Sequence, residues 1–365
     1  MKAIELDDLQ KWYKLNFEKN LFGRRILFSD IEPLIHKLPA IFKKEIIGYS
    51  ESGIPIYKIL VGKGKTKVLL WSQMHGNEST GTKAMFDLFN YIDNNSNGKT
   101  ILDNCTLCFI PLLNPDGAIK FTRENLKGID LNRDAVDRKA VESTILRSVL
   151  DDFNPKFCFN LHDQRAIFNV EGFSNPATIS FLAPSEEIER RITNGRKETM
   201  SVIVAMNDFL QQIIPNQIGR YTDEFYPTAT GDNFQKLGYN TILIEAGHYK
   251  NDYDREDSRK FNFYALVKGL EFIASINSYD EYKTYFEIPN NDKLFLDIIY
   301  KNIRVIENGK STITDIGIQH KFKIINDKLE MYKCIEKKGN LSKYHTYKLI
   351  DGTNLDFNEL KLSNS

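Results

Sequence analysis

Residues 67–80 read KVLLWSQMHGNEST. The apolar run from Val68 to Trp71 predicts a buried strand, and the polar residues after it predict the turn into a helix. That turn carries His75 and Glu78 with only Gly76 and Asn77 between them. A glycine at 76 lets both side chains turn towards one point at the carboxyl edge of the strand, where open α/β sheets bind their ligands. Two potential metal ligands do not complete a site, so the rest of the chain has to supply the sheet and a third.

The strand texture recurs in LCFIPLL (107–113), FCFNL (157–161) and YNTILIEAG (239–247). Between these runs, Met85, Leu88, Phe89 and Ile92 keep helical spacing, as do Val141, Ile145 and Val149, and both stripes read as core contacts. Further helices are expected over about 185–214, ending at Pro215, and over about 256–276. The alternation predicts an α/β fold with a mixed central sheet flanked by helices. Beyond about residue 280 the pattern changes to short strands and turns: IRVIENGKSTITDI (303–316), with the Asn-Gly of a hairpin, then FKIINDKLEMYKCI and YHTYKLIDGTNL. The expected organisation is a main domain over 1–280, opening with a helical extension over about 1–35, and a small β-rich module over 281–365.

The chain has 365 residues, enough for a large core, and its basic and acidic residues balance at 49 each. No global field would draw it to nucleic acid or to an anionic membrane, so a small-molecule or peptide partner is expected. The opening MKAIELDDLQKWYKLNF is amphipathic, without a basic leader or a signal-like apolar region, and no later apolar run reaches membrane-spanning length. The sequence therefore reads as soluble and cytoplasmic, although a trimmed export signal would leave no trace. Four cysteines form no disulfide framework, and the odd separation of Cys105 and Cys108 in a strand points them to opposite faces.

The third ligand is found in KFCFNLHDQ, where His162 ends an apolar strand. His75, Glu78 and His162 at strand ends of one sheet would give a zinc site with one position left for water. Asp163 would be a partner to such a site or a helix cap. Activated water needs a base, and Glu245 lies near the end of an otherwise apolar strand in TILIEAGHY, where a carboxylate is costly without a task or a partner. An ion pair with an arginine is the plainer account of Glu245, and His248 is a weaker ligand candidate than His162. The segment NPDGAIKFTRENLKGIDLNRD (114–134) adds Arg123, Asn132 and Arg133, and two guanidiniums facing one cleft suit a substrate carboxylate or a developing oxyanion.

With these four motifs in order over about 65–250, the sequence resembles the zinc carboxypeptidases of the carboxypeptidase A type. HGNE is similar to the family's His-x-x-Glu, NPDG to its following turn, TRENLKGIDLNRD to its arginine and Asn-Arg segment, and NLHD to its third-ligand segment. The compact arginine segment resembles the bacterial murein-peptide amidases more than the digestive enzymes. The resemblance implies one zinc ion on His75, Glu78 and His162, Glu245 as general base and Arg123 as oxyanion stabiliser. It also implies Asn132 and Arg133 on the terminal carboxylate of a peptide or murein-peptide substrate. The family's mobile tyrosine would be Tyr226, with Tyr221 as the alternative. Asp232 would face the leaving side chain and favour a basic one or the amine of diaminopimelate, unless it caps a helix at GDNFQKLG. Two other readings are an N-acyl amino acid deacylase of the aspartoacylase and succinylglutamate desuccinylase type, and a non-catalytic zinc-dependent receptor for peptide termini.

Overall fold

The computed structural model describes residues 4–275, 278–307, 310–355 and 357–360. Its elements are α1 (Leu6–Asn16), α2 (Phe28–Lys37), β1 (Lys43–Tyr49), β2 (Pro55–Gly62), β3 (Thr66–Ser72), α3 (Thr80–Asn94), α4 (Ser96–Asn104), β4 (Cys105–Ile110), α5 (Pro115–Lys120) and α6 (Val141–Phe153). There follow β5 (Phe157–Asp163), β6 (Asn169–Val170), β7 (Ile179–Leu182), α7 (Asn194–Gln211), β8 (Ile218–Arg220), α8 (Thr230–Lys236), β9 (Asn240–Ala246) and α9 (Glu256–Ser275). The C-terminal strands are β10 (Asn291–Asp292), β11 (Phe295–Leu296), β12 (Ile298–Glu307), β13 (Lys310–Ile325), β14 (Lys328–Gly339), β15 (His345–Thr346) and β16 (Leu349–Asp351).

Eight strands form one mixed sheet in the order β1-β2-β4-β3-β5-β9-β7-β8. At its centre β4, β3, β5 and β9 run parallel, so the ends of β3, β5 and β9 lie side by side at one edge. Both faces of these strands are covered, which is why they read as continuous apolar runs rather than alternating ones. Val68 and Leu70 of β3 and Phe157, Phe159 and Leu161 of β5 join one core with the predicted stripe of α3 and with α7 and α9. Leu69, Trp71 and Cys158 face the other core with Ile145 and Val149 of α6 and Phe234 of α8. Cys105 and Cys108 fall into opposite cores, as their odd spacing requires. Leu9 and Tyr13 of α1 and Ile31 and Ile35 of α2 pack on the same face as α3.

The helix expected from about residue 185 begins only at Asn194. Thr193 caps it by accepting from the Arg196 amide at 3.2 Å. The buried Arg196 guanidinium donates to the carbonyls of Arg190 and Arg191 and to Asp223, at 2.8, 3.2 and 2.6 Å. Those bonds hold residues 190 and 191 in an irregular turn, so the charged run before Thr193 does not continue the helix.

Towards the C-terminus, β14-β13-β12-β16 make a separate four-stranded sheet with its own small core. The β12–β13 hairpin is present by its pairing, while its Asn-Gly turn at 308–309 lies outside the described residues. The next hairpin turns through Asn326 and Asp327, both with positive φ, at 49° and 59°. Between the two sheets, β10 and β6 pair as a separate two-stranded sheet, and Arg165, just after β5, forms an ion pair with Glu336 of β14 at 2.8 Å. Among the described residues no helix is long and apolar enough to cross a membrane.

Candidate metal centre

The turn after β3 begins at Gln73, which adopts positive φ (53°) and donates its buried amide to the carbonyls of Ile26 and Gly76. A Cβ at Gly76 would lie 1.9 Å from the Gly117 carbonyl carbon, so only glycine lets the two loops pass this closely. The turn therefore delivers His75 and Glu78 beside the end of β5, where His162 waits one residue before the strand ends. The ligand atoms of His75, Glu78 and His162 all lie within 4.8 Å of one another, and all three residues are buried.

The distances describe a donor set converging on one point. His75 Nδ1 is 2.9 Å from Glu78 Oε1, His162 Nδ1 is 2.8 Å from Glu78 Oε2, and the two Nδ1 atoms are 3.2 Å apart. Two facing imidazole nitrogens and a carboxylate, largely buried, call for a cation between them. His75 Nε2 lies 3.1 Å from Asp130 Oδ1, so its proton belongs on that side and Nδ1 is left free to bind. Two imidazoles and one carboxylate suit zinc with a position to spare.

Electrostatics follow from this crowding. Burial alone would raise the Glu78 carboxyl, but the two imidazoles beside it hold it well below the usual carboxylate range. Burial likewise opposes the His75 imidazolium, yet Glu78 and Asp130 raise its pKa, while for His162 burial prevails and lowers it. Glu245 moves the other way: burial, with Glu78 and Asp163 nearby, pushes its carboxyl well up. Its Oε2 is buried without a hydrogen-bond partner and it makes no ion pair among the described residues, so the plainer account of this residue has no support. The β5–β9 register sets Glu245 directly opposite His162.

Asp130 is the residue that sequence reasoning missed. One oxygen accepts from His75 and from the Asn132 amide, and the other accepts from Arg123 Nε at 2.8 Å. The carboxylate thereby aims both a candidate ligand and a guanidinium, whose Nη1 sits 3.6 Å from Glu78 Oε1. Its only trace in the sequence is an aspartate two residues before Asn132, in a position to cap the 3-10 turn Leu131–Arg133.

A cleft of about 410 Å³ opens on the centre and is lined by His75, Arg123, Asn132, Arg133, Asp232 and Glu245, with Tyr221 and Tyr226 also on its wall. Asn132 accepts from the Thr230 amide at the start of α8, and Arg133 donates to the Asn132 carbonyl. Tyr226 is half-exposed and donates to Glu224, whereas the Tyr221 hydroxyl donates to Gln164 at 2.9 Å. Asp232 lies inside the first turn of α8 and accepts from the Tyr226 amide, so it braces the preceding loop and is not the residue that caps the helix. Burial pushes its carboxyl up to about 6. Asp163 accepts from the Thr80 hydroxyl, and His248 faces Asp297 at 3.8 Å, so neither is among the converging ligands.

The family profile described as zinc carboxypeptidase matches residues 29–192, which include His75, Glu78 and His162. Over this stretch the chain is similar to the zinc carboxypeptidase family. Carboxypeptidase SOL1 of Arabidopsis thaliana is 30% identical over 102 residues, 25% of this chain and 21% of that protein. Carboxypeptidase 2 of Trichophyton tonsurans is 26% identical over 100 residues, 27% of this chain and 19% of that protein. The matched stretch thus spans about a fifth of the length of these relatives. Among solved structures, carboxypeptidase A from Helicoverpa armigera aligns with a TM-score of 0.55 at 14% identity, covering 74% of this chain and 80% of the other. A metallo-carboxypeptidase from Burkholderia cenocepacia gives 0.53 at 18% identity, covering 66% and 67%. These likenesses show that the mixed sheet and its flanking helices are the zinc carboxypeptidase fold.

Proposed function

We propose that this protein acts as a zinc carboxypeptidase, hydrolysing the C-terminal amide bond of a peptide with a free carboxylate. The observation that carries the reading is the placing of Glu245, an orphaned carboxylate with a raised pKa, in the same cleft as the His75/Glu78/His162 cluster and Arg123. His75, Glu78 and His162 would hold the zinc ion. Bound there, zinc supplies Lewis acidity to water and to the scissile carbonyl.

The chain's own groups do the rest. Glu245 takes a proton from the attacking water and returns it to the leaving nitrogen, a role suited to a carboxyl whose proton affinity burial raises. Arg123, aimed by Asp130, donates to the carbonyl oxygen as it gains charge, and the fixed direction of the guanidinium spares the cost of reorientation. Asn132 and Arg133, at the far wall, hold the terminal carboxylate, and Tyr226 or Tyr221 completes the cleft over the bound residue. Asp232 favours a basic leaving side chain or the free amine of diaminopimelate, which makes murein peptides a substrate class to test. Residues 1–280 are taken as the catalytic unit and 281–365 as its β-rich module, in a protein working in the cytoplasm.

The test is to incubate zinc-loaded protein with a pool of peptides, murein peptides and N-acyl amino acids and to identify products by mass spectrometry, with Glu245→Gln as control. Release of a C-terminal residue or a diaminopimelate unit supports the proposal. Release of acyl groups alone would make the protein a deacylase, and no product from the wild type would favour a receptor for peptide termini.

A further inference from the structure

A second cleft, of about 420 Å³, also reaches Glu78 and Arg123, but its other walls differ: Arg24 from the N-terminal segment, Arg255 just before α9, and Lys321, Phe322 and Tyr332 from β13 and β14. The C-terminal sheet therefore borders the metal centre directly, and what it presents there is positive charge. Lys321 and Arg165 share a single carboxylate, Glu336, at 3.5 and 2.8 Å. Arg255 directs its guanidinium to the carbonyls of Ala246 and Gln164 and forms no ion pair among the described residues.

Arg24 is the most telling of these groups. Its guanidinium lies 4.7 Å over the Phe322 ring, its Nε is buried without a hydrogen-bond partner, and among the described residues it forms no ion pair. Burial, with the neighbouring Arg255, lowers its pKa to about 10 against the opposing pull of Asp163, Asp252 and Glu78. Of the acids on this wall, Glu78 is engaged by its two imidazoles, while Asp163 accepts from Thr80 through one oxygen and keeps the other buried without a hydrogen-bond partner.

The two clefts meet at Arg123. The first holds Asn132, Arg133 and Asp232, the groups suited to the residue that leaves, so a chain continuing past Arg123 and Glu78 has the second cleft before it. A larger cavity of about 660 Å³ joins the first through Tyr221, Thr222 and Lys293, but it includes neither a candidate ligand nor Arg123. We infer that the second cleft is the subsite for the acyl half of the substrate and that it selects a carboxylate there, so the substrates are peptides with an acidic residue next to the one released. This inference rests on the carboxypeptidase reading and adds to it a role for the C-terminal sheet, whose Lys321 contributes to specificity.

The experiment compares two acetylated tripeptides with the same C-terminal lysine and either Glu or Gln before it. Their affinities are measured by calorimetry on the zinc-loaded Glu245→Gln protein. The Glu peptide is expected to bind roughly tenfold more tightly, the effect of one charge-assisted hydrogen bond. Lys321→Ala, at a part-exposed position, and separately Arg24→Gln, should reduce that preference while leaving the affinity for the Gln peptide unchanged. Equal affinities, no binding of either peptide, or a preference that survives both substitutions would overturn the inference. Wild-type turnover of the Gln peptide is read separately. Turnover without a Glu preference upholds the carboxypeptidase reading and overturns the subsite, whereas selective binding without turnover upholds the subsite and sinks the enzyme.

Discussion

At the scale of single residues, two carboxylates in the centre have opposite surroundings and so opposite tasks. Asp130 sits between His75 and Arg123, which hold its carboxyl well down against the burial that would raise it, and it stays charged. Glu245 has no cation in contact, and burial raises it. Glu245→Gln should retain zinc, measured by elemental analysis, while kcat falls by roughly 10²–10⁴-fold, the usual worth of a positioned general base. Asp130→Asn should instead weaken zinc binding by about 10–100-fold, measured by competition with a chelator, because the imidazole loses the charge that orients it. Unchanged affinity would mean that the neighbouring backbone alone fixes the His75 ring.

At the scale of elements, the centre depends on α3 and α9 holding their places behind the sheet. Asp87 of α3 and Arg259 of α9 form a fully buried ion pair at 2.6 Å. Arg259 also donates to the carbonyls of Glu18 and Leu21, both at 2.7 Å, so one guanidinium ties two core helices to the segment that follows α1. Arg259→Met leaves Asp87 buried and unpaired, and such losses cost about 3–5 kcal/mol. The urea midpoint should fall accordingly, and a change under about 1 kcal/mol would mean that the carboxyl simply protonates or finds water.

At the scale of the whole molecule, the C-terminal sheet is fastened to the main one by a buried polar joint. Asp297 lies 3.8 Å from His248, accepts from the Tyr253 hydroxyl at 3.1 Å and from the His320 amide at 2.7 Å. Burial lowers His248 to about 4, so the folded protein keeps this imidazole neutral. The unfolded chain takes up the proton first, near pH 6.5, and the folded state then loses stability as pH falls towards 4. The loss attributable to this group is about 3 kcal/mol as an order of magnitude, read as the difference in unfolding free energy between pH 7.5 and pH 4. His248→Gln should flatten that slope; an unaltered slope would place the acid sensitivity elsewhere.

The chain itself declares the strands, because strands covered on both faces must be apolar along their whole length, as Val68 to Trp71 and Ile242 to Ile244 are. It also declares His75, Glu78, His162 and Glu245, because polar residues at the ends of such runs stand out against the apolar background. Arg123, Asn132 and Arg133 were legible through their proximity to turn glycines and their order in the chain. What only the tertiary structure decided was long-range pairing. Asp130 looks like a turn residue until His75, 55 positions earlier, is brought within 3.1 Å of it. Arg24 and Lys321 come to wall one cleft although they lie at opposite ends of the chain. Local sequence carries the periodicity of an element and the chemistry of its ends. Which distant charges come to share a buried volume is set by sheet order and helix packing, and no local pattern encodes those.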